Sequence, residues 1–292
     1  MADATYRSIW TMLFRSPHRI DYADAGGIRT RYLEAGMRGN PVVIMLHGAA
    51  GSLENFCANI AAYAEHFHVF AIDMVGAGCS DKPDYPYTPA VYVDHLLGFM
   101  DAMQLTRAAM LGNGLGATVA LHTALRAPER VSHICLCSTG AIISDPEEFE
   151  RFMAKVKARR SAAAESPTYE SVRTIFENLM QNPANVLEDL VQIRLAIYQD
   201  PEMQLAMPHM FATATADECL SHDAWRAFDK PLQVIAAIDS PNQMMVRNAR
   251  LIAELAPDCE LVEIADCATW PQFEQADQFN AASIAFFSRA GS

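Results

Sequence analysis

Positive charge is scarce in this chain. Its 292 residues hold 22 lysines and arginines against 35 aspartates and glutamates, a formal net charge of −13. No basic run stands anywhere. That excludes a nucleic-acid surface and an anionic membrane surface as partners. Long apolar runs are missing as well, so no segment can span a bilayer. The first apolar residues (Ile9, Trp10, Leu13, Phe14) are interrupted by Arg7, Ser8, Thr11 and Arg15, which excludes a secretory leader. The seven cysteines contain no Cys-x-x-Cys pair, and an odd number in a long chain makes no disulfide framework. They read as reduced, core-packed thiols in a cytoplasmic protein without a bound metal. Internal repeats and low-complexity tracts are also lacking. So is a Gly-Lys-Ser/Thr triplet, which excludes a phosphate-binding P-loop. Gly112, Gly114 and Gly116 have the wrong spacing for a dinucleotide fingerprint, and basic "RAPER" follows where an acid is needed. No cofactor is expected.

What is present is an alternation of apolar runs and helical patterns. "PVVIML" is a short continuous apolar run, as in a strand buried on both faces. "GIRTRYLEA", "FHVFAID", "RAAMLG", "VSHICLC", "PLQVIAAI" and "CELVEI" read as further strands. Helical stretches lie between them, at 52–64, 88–103, 115–127 and 243–255. This order predicts an α/β fold with a mostly parallel sheet covered by helices on both faces. Ahead of it, Tyr6, Ile9, Trp10, Leu13 and Phe14 form one apolar stripe, predicting an amphipathic helix over the first ~18 residues. It docks on its own domain or reaches a second subunit.

One region breaks the alternation. From about Ile142 to Phe228 only helical signals occur. Asp145-Pro146-Glu147-Glu148 supplies an N-cap, a first-turn proline and acids beside a helix N-terminus. Ser166-Pro167 is expected to open the next helix, and a third runs through "ANVLEDLVQIRLAIYQ". The expected organisation is an arm at 1–20, an α/β core at 21–141 and 229–292, and a helical cap at 142–228. The cap would cover the sheet's carboxyl edge, where open α/β sheets bind ligands.

The stretch "AMLGNGLGATVALHTAL" reads as a buried strand, a glycine-rich turn and a helix. With "VVIMLHGAAGSLENFCANI", "HVFAIDMVGAGCSDKP", "PERVSHICLCSTG" and "DCATWPQFEQADQFN" in this order, the chain resembles the α/β-hydrolases. More narrowly, through Asn113 and "WPQFEQAD", it resembles the meta-cleavage-product hydrolases, which cleave a carbon–carbon bond in vinylogous diketones. The resemblance runs from about residue 25 onward. It implies an eight-stranded sheet with the cap inserted after strand 6, a small-molecule ligand, and a homo-oligomer or a companion of a triad-bearing homologue. It also implies an oxyanion hole from the backbone N–H groups of Ala49 and Leu115, beside His47-Gly48. Asn55, Asn113, Arg194 and Trp270 match the family's pocket residues. Each has a plainer reading: Asn55 caps a loop, Arg194 pairs with Glu188 or Asp189, and Trp270 only packs.

The triad positions depart from the family's pattern. The nucleophile position is Gly114, the acid aligns with Ser240, and the histidine aligns with Thr269. Asp239 stands one residue early and so faces the wrong side. Cys57 and Cys267 lack an imidazole at the triad site to activate them. Triad members act as a unit, and removing one costs about 10⁴–10⁶ in turnover, after which the others are no longer held by hydrolysis. The expected function is a non-hydrolytic pseudoenzyme binding an aromatic-derived or polyketone-like ligand. The alternatives are a triad-independent enzyme that stabilises an enolate (a tautomerase, lyase or cyclase) and hydrolysis through other groups such as Asp239 and a water.

Overall fold

β3 (Val42–Leu46) shows in five residues how this chain divides its core. Successive strand side chains point to opposite faces. Val43 and Met45 join one apolar cluster, whereas Ile44 and Leu46 join the other. Both faces are therefore dry, and a strand in that setting must be apolar throughout. The computed structural model describes residues 7–139, 141–211 and 219–289.

β1 (His18–Asp24), β2 (Arg29–Ala35), β4 (His68–Ile72), β5 (Ala108–Asn113), β6 (Val131–Cys137), β7 (Leu232–Ala237) and β8 (Cys259–Ile264) complete one eight-stranded sheet. The spatial order is β1-β2-β4-β3-β5-β6-β7-β8. β1 and β2 join antiparallel, and all pairs from β4 to β8 are parallel. The α/β fold with a mostly parallel sheet and surrounding helices is as expected. α3 (Pro89–Ala102) and α4 (Leu115–Arg126) contribute Phe99, Leu121 and their neighbours to one face. α2 (Ile60–Ala64) and α12 (Ala276–Ser288) cover the other with Ile60, Phe279 and Phe287. Cys135 and Cys137 both pack into that second cluster. α10 (Gln243–Leu255) packs on β7 and β8, and a short α11 (Pro271–Glu274) packs against α12.

The amino-terminal reading needs correction. The helix there is α1 (Ile9–Leu13), five residues long, and β1 begins at His18, where the stripe predicts continued helix. Pro17 lacks a backbone N–H and keeps Ser16 out of helical angles, so the chain leaves the helix there. Ser8 caps α1 in a capping box with Thr11. Tyr6 lies outside the described residues.

Between β6 and β7 lie α5 (Pro146–Glu165), α6 (Tyr169–Glu177), α7 (Glu188–Tyr198), α8 (Pro201–Met210) and α9 (His222–Arg226), with no strand among the described residues. Asp145 caps α5 by accepting from the Glu148 N–H. Ser166 does not open α6: it closes α5, and Thr168 opens α6 through a capping box with Ser171. A box that satisfies two backbone donors prevails over a lone serine followed by proline.

Candidate ligand site at the β5 turn

The turn after β5 is set by three glycines with different physical reasons. Gly112 is buried at the strand end, and a Cβ there would stand 2.4 Å from the Gly116 carbonyl oxygen. At Gly116 a Cβ would meet the Leu46 carbonyl oxygen at 2.0 Å. Those two positions bring α4 close against β3 and β5, and only glycine fits. Gly114 differs. It has φ 55° and ψ −114°, a conformation that side-chain-bearing residues hold only under strain. Its N–H donates to the Cys137 carbonyl at 3.0 Å, tying the turn to β6. A Cβ on Gly114 would meet only the Gly48 Cα, at an ordinary 3.6 Å. The turn thus has the geometry of a strained strand-to-helix elbow with open space where its side chain would point.

That space is a cavity of about 170 Å³. Its floor is Gly114, Leu115 and Thr118 at the start of α4, with Asn113 before them. Gly48, Ala49 and Asn55 come from the segment after β3, and Thr269 and Trp270 from the loop before α11. α5 supplies Phe149, Phe152, Met153, Val156 and Arg160, and α8 ends over the cavity with Met210. The sheet edge and the helices between β6 and β7 therefore enclose one space. The first N–H groups of a helix have no intrahelical acceptor, so the Leu115 N–H at the first turn of α4 is available to a ligand. Ala49 lies on the same wall.

Asn113 and Trp270 are held from behind. The Asn113 amide donates to the Gln272 Oε1 at 3.4 Å and to the Cys137 Sγ at 3.5 Å. Trp270 packs edge-on against Phe176, with ring centroids 5.5 Å apart. His47 anchors the turn that carries Gly48. Its Nε2 accepts from the Met74 N–H at 3.1 Å, so the proton sits on Nδ1, which donates to the Gly48 carbonyl at 2.8 Å. Burial pushes its pKa down to about 4 against that hydrogen bond, so the ring is neutral and structural.

Gly114, Ser240 and Thr269, the positions expected to match the family's triad, do not share one wall. Thr269 lines the main cavity with Gly114. Ser240 lies in an adjoining recess of about 10 Å³, with Ser138 and Thr269 on its rim. Ser138 is a residue sequence reasoning missed. It holds a left-handed φ of 49°, lines both spaces, and donates its hydroxyl to the Thr269 carbonyl at 2.7 Å. Asp239 is exposed and accepts the Asp266 N–H at 2.8 Å. It lies outside the cavity wall. Burial pushes the Cys57 and Cys267 thiols up to about 12, so neither offers a thiolate near neutral pH.

Arg194 is not on the cavity wall. It is 2% exposed, donates through Nη2 to the Asn55 Oδ1 at 3.0 Å, and stacks near Phe176 and Tyr198. It stands one layer behind Asn55. Nor does it pair with Glu188 or Asp189: Glu188 accepts from Tyr169 and Gln192, and Asp189 accepts the Ile9 N–H. The guanidinium that does reach the wall is Arg160. Its signal was in the sequence. Phe149, Met153, Val156 and Arg160 recur at four, three and four residues, one face of α5.

A family model for the alpha/beta hydrolase fold matches residues 41–276. The chain belongs to that family. It is related within it to the meta-cleavage-product hydrolases. The 2-hydroxy-6-oxo-6-(2'-aminophenyl)hexa-2,4-dienoic acid hydrolase of Metapseudomonas resinovorans is 25% identical over 272 residues, covering 92% of this chain and 90% of that one. The 2-hydroxy-6-oxo-6-phenylhexa-2,4-dienoate hydrolase of Comamonas testosteroni is 25% identical, covering 92% and 94%. Among solved structures, the 2-hydroxy-6-oxo-6-phenylhexa-2,4-dienoate hydrolase from Rhodococcus sp. strain RHA1 superposes with a TM-score of 0.80 at 23% identity, over 94% of this chain and 99% of that chain. In this α/β-hydrolase-fold protein the cavity thus occupies the carboxyl edge of the parallel strands, the position at which open α/β sheets take ligands. Among the described residues that line it there is no carboxylate and no imidazole.

Proposed function

We propose that this chain is a non-hydrolytic member of the family that binds a small aromatic-derived or polyketone-like ligand over the β5 turn. The observation that carries this reading is Gly114. It keeps the strained elbow geometry and leaves the side-chain direction open, so nothing there can attack a carbonyl. Ser240 and Thr269, which align with the acid and the histidine, cannot form the acid–base pair that activates a nucleophile. The apolar wall and the placement of Asn55, Asn113 and Trp270 support ligand binding.

A second reading is favoured by one specific feature. Ala49 and Leu115, whose backbone N–H groups the family resemblance makes an oxyanion hole, line the same space as Asn113, which supports a role in holding an enolate. On that reading the chain is a triad-independent tautomerase, lyase or cyclase. Incubation with 2-hydroxy-6-oxo-6-phenylhexa-2,4-dienoate separates the two. A shift of the dienol absorbance that saturates with protein, without product, supports binding. Catalytic conversion to an isomer or ring-closed product supports the second reading. Carbon–carbon cleavage at enzyme-like rates overturns both.

A further inference from the structure

β1 is an edge strand of seven residues, and among the described residues no strand pairs with its outer side. Such an edge offers its unpaired N–H and C=O groups to any second strand. Lysine, proline or a bulge commonly blunts a sheet edge. β1 holds no lysine or proline, and it pairs with β2 in unbroken register. An apolar strip lies along it, on the face shared by His18, Ile20 and Tyr22. Ile20 is 52% and Tyr22 39% exposed. Trp10, 68% exposed, stands edge-on to His18 with ring centroids 6.3 Å apart.

The neighbouring strands fix which backbone groups of β1 face outward. The Arg31 and Arg29 carbonyls accept from the Asp73 and Asp81 N–H groups at 2.9 and 3.0 Å, so the odd-numbered residues of β2 turn away from β1. Its even-numbered residues Tyr32 and Glu34 turn toward β1, opposite Asp21 and Arg19. In an antiparallel pair only every second opposed pair exchanges hydrogen bonds. His18, Ile20 and Tyr22 therefore point their N–H and C=O groups outward. The Tyr22 N–H, with no strand to meet, donates to its own neighbour, the Asp21 Oδ1, at 2.8 Å.

We infer that β1 is a docking edge for a second copy of this chain, the two β1 strands pairing antiparallel about a two-fold axis through Ile20. The axis makes Ile20 and its copy a hydrogen-bonded pair and sets His18 opposite Tyr22. It also sets Arg19 opposite the second copy's Asp21, and Asp21 opposite its Arg19, on the other face of the strand. Cross-strand pairs of opposite charge stabilise a sheet, and like charges directly opposed destabilise it. An axis through Asp21 would oppose two aspartates. An axis through Tyr22 would leave Arg19 without an acid and set Ile20 against Asp24. Only the axis through Ile20 matches charge with charge and apolar with apolar. Such an isologous contact closes on itself, so assembly through it stops at a dimer. The surface stands apart from the β5 cavity, and the inference holds whatever the cavity binds.

Sedimentation velocity of the full chain over a concentration series tests this. The wild type should reach a dimer. Ile20→Pro removes one outward N–H from each copy and leaves the β1–β2 ladder intact, and losing two hydrogen bonds should weaken dimerisation by about 10–100-fold. Asp21→Arg, at an exposed position, opposes Arg19 with a like charge and should weaken it as well, so the test survives a proline variant that folds poorly. Disulfide trapping reads the register. Opposed Cα atoms of a hydrogen-bonded pair stand ~5.5 Å apart, within disulfide reach, so Ile20→Cys should cross-link to its own copy. Tyr22 would stand roughly 13 Å from its copy, so Tyr22→Cys should not. A wild type that stays monomeric throughout overturns the inference. So does a dimer that Ile20→Pro and Asp21→Arg both leave unchanged, since it forms through another surface. Cross-linking of Tyr22→Cys in place of Ile20→Cys overturns the axis through Ile20.

Discussion

At Gly114 space and backbone conformation favour opposite outcomes. A serine there has room, but φ 55° with ψ −114° strains any side chain. Gly114→Ser should therefore cost roughly 1–3 kcal/mol and lower the melting temperature by a few degrees, without ester or diketone hydrolysis. Scanning calorimetry and a nitrophenyl-ester assay check both parts, and measurable turnover in the single variant would sink the account of the site. Gly116→Ala contrasts with it. Its Cβ would overlap the Leu46 carbonyl oxygen at 2.0 Å, and backbone cannot swing aside like a flexible side chain. It should lose about 3 kcal/mol or fail to fold. Arg194 supplies a third case at this scale. Arg194→Met removes a buried, half-satisfied charge, so stability should stay level or rise by about 1 kcal/mol.

Single elements show where sequence pattern succeeds and where it stops. The bounds of α3, α4 and α10 follow their helical stretches because each has an apolar face, and Thr88 caps the first. α1 ends early because one stripe of apolar residues says nothing about whether a surface exists to cover it. Leu13 is buried, yet Trp10 is 68% and Phe14 57% exposed. What fixes α1 is a polar contact far along the chain: the Ile9 N–H donates to Asp189 in the first turn of α7 at 2.8 Å. Asp189→Ala should loosen the segment and speed tryptic cleavage at Arg15, with little change in the melting temperature. A cleavage rate equal to wild type would show that the contact does not hold the arm. β1 escaped notice because it is an edge strand with an exposed burial pattern and lacks the apolar run by which β3, β4 and β7 declare themselves.

Across the whole molecule, the neutral histidines couple the fold to pH. Burial holds His47 at about 4, and burial with the neighbouring His47 holds His95 at about 3. Both lie below the ordinary value of ~6.5, so the unfolded chain binds these protons first. Their contribution to stability is full above pH ~6.5 and is lost as pH falls toward 4 and 3. Glu34 adds a second acid-side loss. Its burial alone would raise its pKa, but hydrogen bonds from His68, Arg38 and Arg19 hold it at about 2. Stability from Glu34 is therefore present above pH ~4.5 and disappears on the way to 2. The melting temperature should be flat from pH 8 to 7 and decline below 6.5. NMR titration checks the cause: the His47 and His95 imidazoles should not titrate between pH 8 and 5, and a midpoint near 6.5 for either would contradict the assignment.

The residue sequence determined the layered α/β fold, because period-two and helical patterns report which faces must leave water, and these are local properties. The glycine turn was legible as well, and the family resemblance implied Asn55, Asn113 and Trp270 beside it, where the fold brings them together. The spacing along α5 offers Arg160 as a candidate, but only the tertiary structure decided that it, and not Arg194, meets the cavity. Arg160 and Arg194 lie on different helices, and depth behind a wall is set by packing between elements far apart in sequence. The same packing puts Ser138 next to Thr269, sends Asp239 to solvent, and leaves α1 with two uncovered aromatics.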